Sequence, residues 1–416
     1  MATQSRTGTP RPPAVWLDRR TPPHVVTLVL MTGLSALNMN MVLPSLPSLA
    51  AHYHADYGVA SLTVSAYLGL TAVLQLVLGP LSDRYGRRPV TLGCFAVFLL
   101  ATLGCAFAPT IEWFLAFRMA QATVASAFAL SRAIVRDMVG TDEAASLIGY
   151  ITMGMSLSPM IAPVIGGFVD EAFGWRAVFG LTFAVGVAVT ALIWADQGET
   201  NTTPSESLTA QFRAYPELLR SPRFWGYTAT ASFASGTFFA FLGGGPLVAT
   251  EFLHMGPAEV GAYFGVIALG YLLGNYLSGR FAAQVGLNRM MLSGSLVATA
   301  GMALALGLFA LGLQSATTFF GTIGLVGVGN GLLLPSANAG IVSVRPHLAG
   351  SASGLGGALM IGGGAALSVL AGAMLGPGTG AWPLLWLMFV CSVVSIGTTL
   401  WVMQVARRRA AEAAGR

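Results

Sequence analysis

The chain has 416 residues, of which 55% are hydrophobic and 9% are charged, and its mean hydropathy is +0.71. These values exclude an ordinary water-soluble globular protein and are typical of a membrane protein. The formal net charge is +5, but the arginines are scattered among loops instead of forming one basic domain, so the composition also argues against nucleic-acid binding.

The first segment, residues 1–23, is rich in Pro and Arg and includes the stretch TPRPPAVWLDRRTPP. This composition predicts a disordered tail. The first apolar run is not followed by the small-residue cleavage pattern of a secretory signal. We therefore expect the tail to be retained on the cytoplasmic side.

Apolar runs long enough to cross a bilayer recur along almost the whole chain. Bilayer hydrocarbon is about 30 Å thick, so a spanning helix needs about 20 mostly apolar residues. The sequence therefore predicts an all-α membrane protein with twelve transmembrane helices. We expect them approximately at residues 25–43, 61–81, 90–108, 113–134, 144–168, 177–194, 223–247, 260–281, 290–312, 318–342, 350–375 and 382–405.

The longest polar interruption, residues 195–222, predicts a cytoplasmic linker between two six-helix halves. The N-terminal half is expected at 24–194 and the C-terminal half at 223–405, with a cytoplasmic C-terminal tail at 406–416. Because the number of helices is even, both termini lie on the same side of the membrane.

The two halves show a weak internal repeat. A shift of 200 residues places Gly79 on Gly279 and Gly86 on Gly286, in the loops after the second and eighth predicted helices. Together with the layout of six helices and six helices, these matches favour two parallel halves related by an axis along the membrane normal.

The distribution of arginine gives the orientation. All 21 basic residues are arginine, and 19 of them fall in predicted segments on one side, with Arg176 on the other side and Arg118 inside a helix. Because positively charged loops stay in the cytoplasm, this side and both termini are predicted to be cytoplasmic. The absence of lysine leaves no amine of adjustable pKa for catalysis.

Cysteine and histidine do not indicate a metal site or a cofactor. Cys94, Cys105 and Cys391 lie in apolar runs without CxxC spacing, which predicts packing residues. His52 and His54 lie near Asp56 in a predicted loop, but further ligands are missing from the sequence around them. We expect no bound metal and no cofactor.

Arg118 is the only ionisable residue that the predicted helices place well inside the membrane. Burying a charge in a bilayer is costly, so such a residue is a functional candidate. The alternative is an arginine that carbonyl and amide groups satisfy for structural reasons. Gln121 lies on the same helical face, one turn further on, where it could orient Arg118.

The loop GPLSDRYGRRPV joins the second and third predicted helices. A short positive loop of this kind could serve topology alone. Topology alone does not explain why the acid Asp83 stands at the end of the second helix, or why Gly79 and Gly86 have this spacing. An acid at the membrane surface is stabilised by a facing helix N-terminus or by guanidinium groups, so this acid is a candidate latch between the halves. The candidate conformational residues of the loop are Gly79, Asp83, Arg84, Gly86, Arg87 and Arg88.

The pattern GxxxDRxGRR after the second helix resembles the signature loop of the major facilitator superfamily. Other motifs agree with the Bcr/CflA drug-resistance group of proton-coupled antiporters within this superfamily. They are VLPSLP, RMAQA, RAIVRD, SPMIAPVIGG, RPHLAGSASGL and AWPLLW. The resemblance covers the chain apart from its two tails.

The resemblance implies a monomeric twelve-helix carrier that exports small drug-like molecules by alternating access. It assigns the signature loop to the outward-open state, with Asp83 facing the start of the eleventh helix near Leu348–Ser351. It links Arg118 to substrate binding and proton transfer. The SPMIAPVIGG segment matches the antiporter motif, in which small and helix-bending residues let the fifth helix approach the eighth. The matching residues are Pro159, Pro163, Gly166 and Gly167.

One position departs from the Bcr/CflA pattern. Asn40 stands where many relatives have an aspartate in the first helix, and an asparagine cannot exchange a proton near neutral pH. Glu112 is six residues from Arg118, about 9 Å along a helix at 1.5 Å per residue, which is too far for direct pairing. Asp137 is another acid near a motif, although it could fasten the fourth helix to the surface instead. The coupling ion is therefore left open.

Polar and aromatic residues inside the apolar runs are the best candidates for a central substrate cavity. Because these runs hold little negative charge, electroneutral or weakly anionic substrates are expected to suit the cavity better than lipophilic cations. The candidates besides Arg118 and Gln121 are Asn38, Asn40, Tyr67, Gln75, Phe238, Phe241, Asn330 and Asn338.

Other classes of function remain in view. An enzyme would need a catalytic constellation, and the sequence has no HExxH, no GxSxG, no P-loop and no cluster of histidines with carboxylates. An exporter of endogenous metabolites such as nucleosides, sugars or amino-acid derivatives would share the architecture. A membrane sensor or scaffold that does not transport would share it as well.

Overall fold

The computed structural model describes residues 14–139, 147, 151, 158–201, 215–345, 348–376 and 378–414. This part of the chain is helical and contains no strand. Eleven of its helices are long and apolar enough to cross a membrane. The fifth predicted helix is described chiefly over Ser158–Phe173, because most of residues 140–157 lie outside the described residues. The prediction of an all-α transmembrane bundle is confirmed.

The helices are labelled α1 to α12 in chain order. Their bounds are α1 Val25–Met41 with Leu46–His52, α2 Tyr57–Tyr85, α3 Arg87–Phe107, α4 Ile111–Gln121 with Ser126–Met138, α5 Ser158–Phe173, α6 Trp175–Asp196, α7 Pro222–Leu247, α8 Pro257–Val285, α9 Leu287–Ala310, α10 Ala316–Ser343, α11 Ala349–Met374 and α12 Trp382–Ala414.

Several helices extend beyond the predicted apolar runs. Helix α2 begins four residues before position 61 and ends four residues after position 81, α5 continues past 168 to Phe173, and α12 continues through 406–414. A hydropathy window ends at the first charged residues, but the backbone hydrogen bonds of a helix continue into polar interfacial residues. The extension of α5 matters most, because it places Asp170 inside a helix instead of in a loop.

Backbone geometry repeats with the predicted shift of 200 residues. His54 and His254 both have positive φ, at 50° and 55°, and α2 and α8 begin three residues after them. Both helices end at a glycine in the left-handed region, Gly86 at φ 98° and Gly286 at φ 88°, where a side chain would be strained. The two helices are therefore equivalent parts of the two halves.

Within the described part of the N-terminal half, α1 and α4 are interrupted. In α1 the turn Leu43–Ser45 is a 3-10 segment, and Pro44 and Pro47 each remove a backbone N–H donor. In α4 the segment Ala122–Ala125 is also 3-10, and it begins directly after Gln121. The break in α4 thus lies four residues from Arg118.

The two ends of the bundle differ in charge. The arginine-rich end carries the loop from Asp83 to Arg88, and the arginine-poor end carries His52, Glu112 and Asp170. At the arginine-poor end the two halves share an apolar core, in which Leu43 and Leu46 of α1 pack with residues of α7 and α8. The halves are therefore in contact at this end.

The N-terminal segment is attached to the bundle, which differs from the predicted disordered tail. Asp196, at the end of α6, is fully buried and its carboxylate accepts hydrogen bonds from the backbone N–H groups of Leu17 at 2.7 Å and His24 at 2.8 Å. It also accepts one from the hydroxyl of Thr27 at 2.6 Å. Residues 14–24 are therefore ordered by an acid that lies more than 170 positions away.

Candidate functional site

Arg118 is buried in the N-terminal half, with 1% of its surface exposed. Its guanidinium donates to neutral acceptors on three helices: the backbone carbonyl of Thr63 at 3.3 Å, the side-chain and backbone oxygens of Asn38 at 3.2 and 3.1 Å, and the side chain of Gln121 at 2.7 Å. Four of its five N–H donors are thereby used.

Tyr67, which was predicted, and Thr102, which was not, complete this cluster. The guanidinium carbon of Arg118 lies 4.5 Å from the ring centroid of Tyr67, within the range of a cation–π interaction. The Asn38 amide donates to the Tyr67 hydroxyl at 3.2 Å, and the Gln121 amide donates to Thr102 of α3 at 2.8 Å. Both Gln121 and Asn38 thus hold Arg118 in one orientation. The amide–hydroxyl link to Thr102 was not predicted, because the sequence gives no indication of which face of α3 meets α4.

The charge of Arg118 has no acidic partner among the described residues. Glu112, the acid considered for this role, is exposed on the same helix and bonds with Thr110. Asn40 is buried and points its amide at the carbonyl of Ala36 at 2.7 Å, while its own side-chain oxygen has no hydrogen-bond partner. Arg118 is therefore a positive charge surrounded by neutral dipoles and an aromatic ring.

The other predicted cavity residues do not join this cluster. Gln75 is half-buried between α2 and α11, since a β-carbon on Gly357 would lie 3.7 Å from its side-chain oxygen. Phe238 is half-buried and stacks on Phe241. In α10, Asn330 is buried and Asn338 is exposed.

Phe241, a predicted cavity residue, packs in an aromatic core in this conformation. It is fully buried among Phe264, Phe319 and Phe320, with ring centroids 5.0 to 6.2 Å apart. These rings form the packing core of the C-terminal half. An aromatic residue in a membrane helix can pack or line a cavity, and only the neighbouring helices decide which.

Arg87 is the centre of the signature loop. It is buried at the start of α3, pairs with Asp83 four residues earlier, and donates to Asp137 of α4 at 2.9 Å. Thr200 also donates to Asp137, at 3.3 Å. Asp137 therefore fastens α4 to the loop, which was one of the two roles considered for it.

Asp83 pairs with Arg87 within the N-terminal half. The expected contact near Leu348–Ser351 falls partly outside the described residues, so it stays a prediction. Two described contacts join the halves near this end. Arg132 of α4 donates a hydrogen bond of 3.2 Å to Ser353 of α11, and Gln75 of α2 lies close to Gly357 of α11.

The remaining loop residues have separate roles. Gly86 approaches Glu199 so closely that a β-carbon would lie 2.5 Å from the carboxylate. Gly79 has open space around it, and Arg84 is exposed over the ring of Tyr85. Arg88 donates to the backbone carbonyl of Gln197 and, at 2.9 Å, to that of Trp194.

The start of the linker is docked on this loop, which was not predicted. The Glu199 carboxylate accepts from the backbone N–H groups of Arg87 at 2.8 Å and Arg88 at 3.1 Å. It therefore caps the N-terminus of α3, where unpaired N–H groups favour a negative charge. The only indication of this docking in the sequence is the position of Glu199, an acid that follows shortly after the sixth apolar run.

The antiporter motif brings α5 against α8, as expected. A β-carbon on Gly167 would lie 2.3 Å from the carbonyl oxygen of Pro257, and one on Gly261 would lie 2.3 Å from that of Pro163. Each helix thus meets the other through a glycine four residues after a proline. Gly166 faces α1 instead: a β-carbon on Gly166 would lie 2.0 Å from the carbonyl oxygen of Met41. The side chain of Pro159 lies outside the described residues.

Two cavities lie away from Arg118. An apolar cavity of about 310 Å³ lies between α5 and α8 and is lined by Ile161, Val164, Ile165, Gly265 and Leu269. A more polar one of about 440 Å³ at the arginine-poor end includes His52, His54 and Glu112. Among the described residues, no group of three or more His, Cys, Asp or Glu side chains is arranged to hold a metal ion. Cys94, Cys105 and Cys391 are buried and unpaired, as packing residues are.

The sequence matches a family model described as Major Facilitator Superfamily over residues 28–367. It is 31% identical over 380 residues to the uncharacterised MFS-type transporter YdgK of Bacillus subtilis, covering 88% of this chain and 92% of the relative. It is 29% identical to a chloramphenicol resistance protein of Pseudomonas aeruginosa, covering 88% and 87%. It is 28% identical to a bicyclomycin resistance protein homologue of Haemophilus influenzae, covering 89% and 94%.

A solved structure of similar fold is a bacterial homologue of the human lysosomal transporter Spinster, in an inward-facing and occupied conformation. Its TM-score is 0.70 at 18% sequence identity, and the match covers 92% of this chain and 96% of that one. The two chains thus share the twelve-helix fold.

Proposed function

Because the chain belongs to the major facilitator superfamily, and to its drug-resistance transporters, we propose that it exports small drug-like molecules across the bacterial cytoplasmic membrane as a proton-coupled secondary transporter. Two relatives are named for resistance to chloramphenicol and bicyclomycin, and a carrier that removes a drug from the cell has that effect. The coupled ion and alternating access are part of the proposal.

The observation that carries the proposal is the set of contacts around Arg118. A buried guanidinium without an acidic partner is unfavourable in a bilayer, and intramembrane charges of this kind mark functional sites more often than structural ones. Its remaining N–H donor and its uncompensated charge suit an electroneutral ligand with an acceptor oxygen, or a weak anion. A lipophilic cation would be repelled at this position.

The contacts between the halves support alternating access. At the arginine-poor end, α5 meets α8 with backbone against backbone, and α1 packs in the core of the other half. Contact through glycine faces allows helices to approach and slide. We infer that the arginine-rich end, with both termini, faces the cytoplasm and that the arginine-poor end is the outer end, closed in this conformation.

The test is drug susceptibility of an efflux-deficient bacterial host that expresses the protein, with Arg118→Ala and a matched exposed-arginine control, Arg176→Ala. We expect wild type and Arg176→Ala to raise resistance to neutral or weakly anionic drugs, and Arg118→Ala to abolish the effect at equal protein level. Flux of the same drugs into inverted vesicles links resistance to transport.

Three results would contradict parts of the proposal. Unchanged susceptibility to every drug with raised extracellular metabolite would favour an exporter of metabolites. An Arg118→Ala phenotype without vesicle flux of any compound would favour a sensor or scaffold. Quaternary cations as the best substrates would contradict the inferred substrate class.

A further inference from the structure

Asp170 is a buried acid that none of the motifs includes. It lies in the last turn of α5 with 6% of its surface exposed. Its carboxylate accepts a hydrogen bond of 2.8 Å from the hydroxyl of Ser48 in the second segment of α1, and the hydroxyl of Ser45 lies near it as well. Asp170 thus lies against the helix in which Asn40 replaces the usual acid.

The neighbouring elements carry several other charged and titratable groups. His52 of α1 bonds with Arg176 of α6 at 3.1 Å, and Glu171 accepts from the backbone N–H of Ala258 in α8 at 3.2 Å. Glu259 follows in the first turn of α8. Among the described residues, none of these groups forms an ion pair or a hydrogen bond with the Asp170 carboxylate.

An ionised carboxylate in this position is poorly compensated. The hydroxyls beside it, of Ser48 and Ser45, are neutral, and it has little contact with water. Transfer of a charge out of water costs more than such neutral hydrogen bonds return. The protonated carboxyl group has no such cost and can keep its hydrogen bond to Ser48. The buried position therefore favours the neutral form.

Asp170 lies where the halves meet. Three residues before it, Gly167 touches the backbone of Pro257, and the next residue, Glu171, caps the N-terminus of α8. The 3-10 turn of α1 that precedes Ser48 packs against α7 and α8. If α8 moved away from α5 and α1, water would reach this corner and stabilise the ionised form.

We propose that Asp170 is a proton-binding site that links closure of the arginine-poor end to uptake of a proton from that side. The carboxylate takes one proton from water as the end closes, and it releases the proton to water when the end opens. Acid on that side thus favours the closed form. This proposal rests on the alternating access of the proposed function.

The test measures the separation of the two halves against pH, without any drug. Spin labels at Pro109→Cys and Leu313→Cys, both exposed at this end and in different halves, report the distance in the purified full-length protein. The buried native cysteines are left in place. For one linked proton, the ratio of closed to open molecules is expected to rise by up to about tenfold for each pH unit of acidification.

Two substitutions and one control locate the proton. Asp170→Asn, which imitates the neutral acid, is expected to be closed at every pH. Glu112→Gln, an exposed acid at the same end, is expected to keep the wild-type pH dependence. Ser48→Ala removes the hydrogen bond that the neutral acid keeps in the closed form, so the midpoint of closure is expected to move to lower pH by up to about one unit.

A wild type without pH dependence, or an Asp170→Asn variant that keeps it, would overturn the proposal. If Asp170→Asn does not fold, an unchanged midpoint in Ser48→Ala would overturn it. Drug flux with a pH-independent distance would refute this inference alone. A pH-dependent distance in a protein that moves no drug would refute only the proposed function.

Discussion

The close contact between α5 and α8 predicts a specific effect of one added methyl group. A β-carbon at Gly261 would lie 2.3 Å from the Pro163 carbonyl oxygen and 3.0 Å from its carbonyl carbon, whereas ordinary contacts begin at 3.4 Å. The neighbouring atoms are backbone, so they cannot rotate away. Gly261→Ala therefore requires the two helices to separate by about 1 Å (3.4 minus 2.3 Å).

The cost of such overpacking is about 1–3 kcal/mol, which corresponds to about a 5- to 150-fold change in an equilibrium. Because α5 and α8 belong to different halves, the cost falls on the form in which the arginine-poor end is closed. We expect Gly261→Ala to shift the protein toward the open form, as measured by the distance between labels at Pro109→Cys and Leu313→Cys.

Gly265 provides the matched control. It lies one turn further along α8, and a β-carbon there would meet no atom within 4 Å. Both substitutions gain the same helix propensity, about 1 kcal/mol, so the difference between them isolates the contact. Gly265→Ala is expected to keep the wild-type distances. Identical distance distributions for the two variants would refute the argument that this contact holds the end closed.

Three further outcomes are expected. Arg118→Lys keeps the charge but cannot reproduce the planar set of donors of the guanidinium. Drug export should therefore fall at least about tenfold at equal protein level, and unchanged export would contradict the role of the guanidinium. Asp196→Asn weakens three hydrogen bonds and should lower the free energy of unfolding by about 1–3 kcal/mol in detergent. The control Asp18→Asn, at a half-buried acid with one local hydrogen bond from Arg20, should lower it less, and equal stability of the two would contradict the anchoring role. A maleimide should label the three native cysteines, Cys94, Cys105 and Cys391, only after denaturation. Labelling of the folded protein would contradict their burial.

The parts of the structure that depend on local sequence were predictable. Hydropathy places the helices because each must be apolar over the thickness of the membrane. The contact between Arg118 and Gln121 follows from their spacing of three residues on one helix, and the structure has it at 2.7 Å. The glycine that ends α2 recurs as Gly286 because the two halves repeat.

The parts that depend on which helices meet were not predictable. The burial of Asp170 requires Ser48, which is 122 positions away, and the hydropathy pattern had already ended the fifth helix at 168. Phe241 belongs to an aromatic core that three other helix positions complete. Asp83 could pair within its own helix end or across the halves, and composition does not distinguish these partners.

The docking of residues 197–201 on the signature loop changes how the covalent tether between the halves works. Glu199 and Asn201 hold this stretch against the N-terminal half, and the next helix begins at Tyr215. The stretch of chain from Asn201 to Tyr215 is about fourteen residue steps, and a chain of that length can span at most about 50 Å. Cleavage at a protease site engineered within 202–214 would break the covalent connection between the halves and keep the hydrogen bonds of Glu199 and Asn201 to the loop. The two fragments should still co-purify through the contacts between their helices.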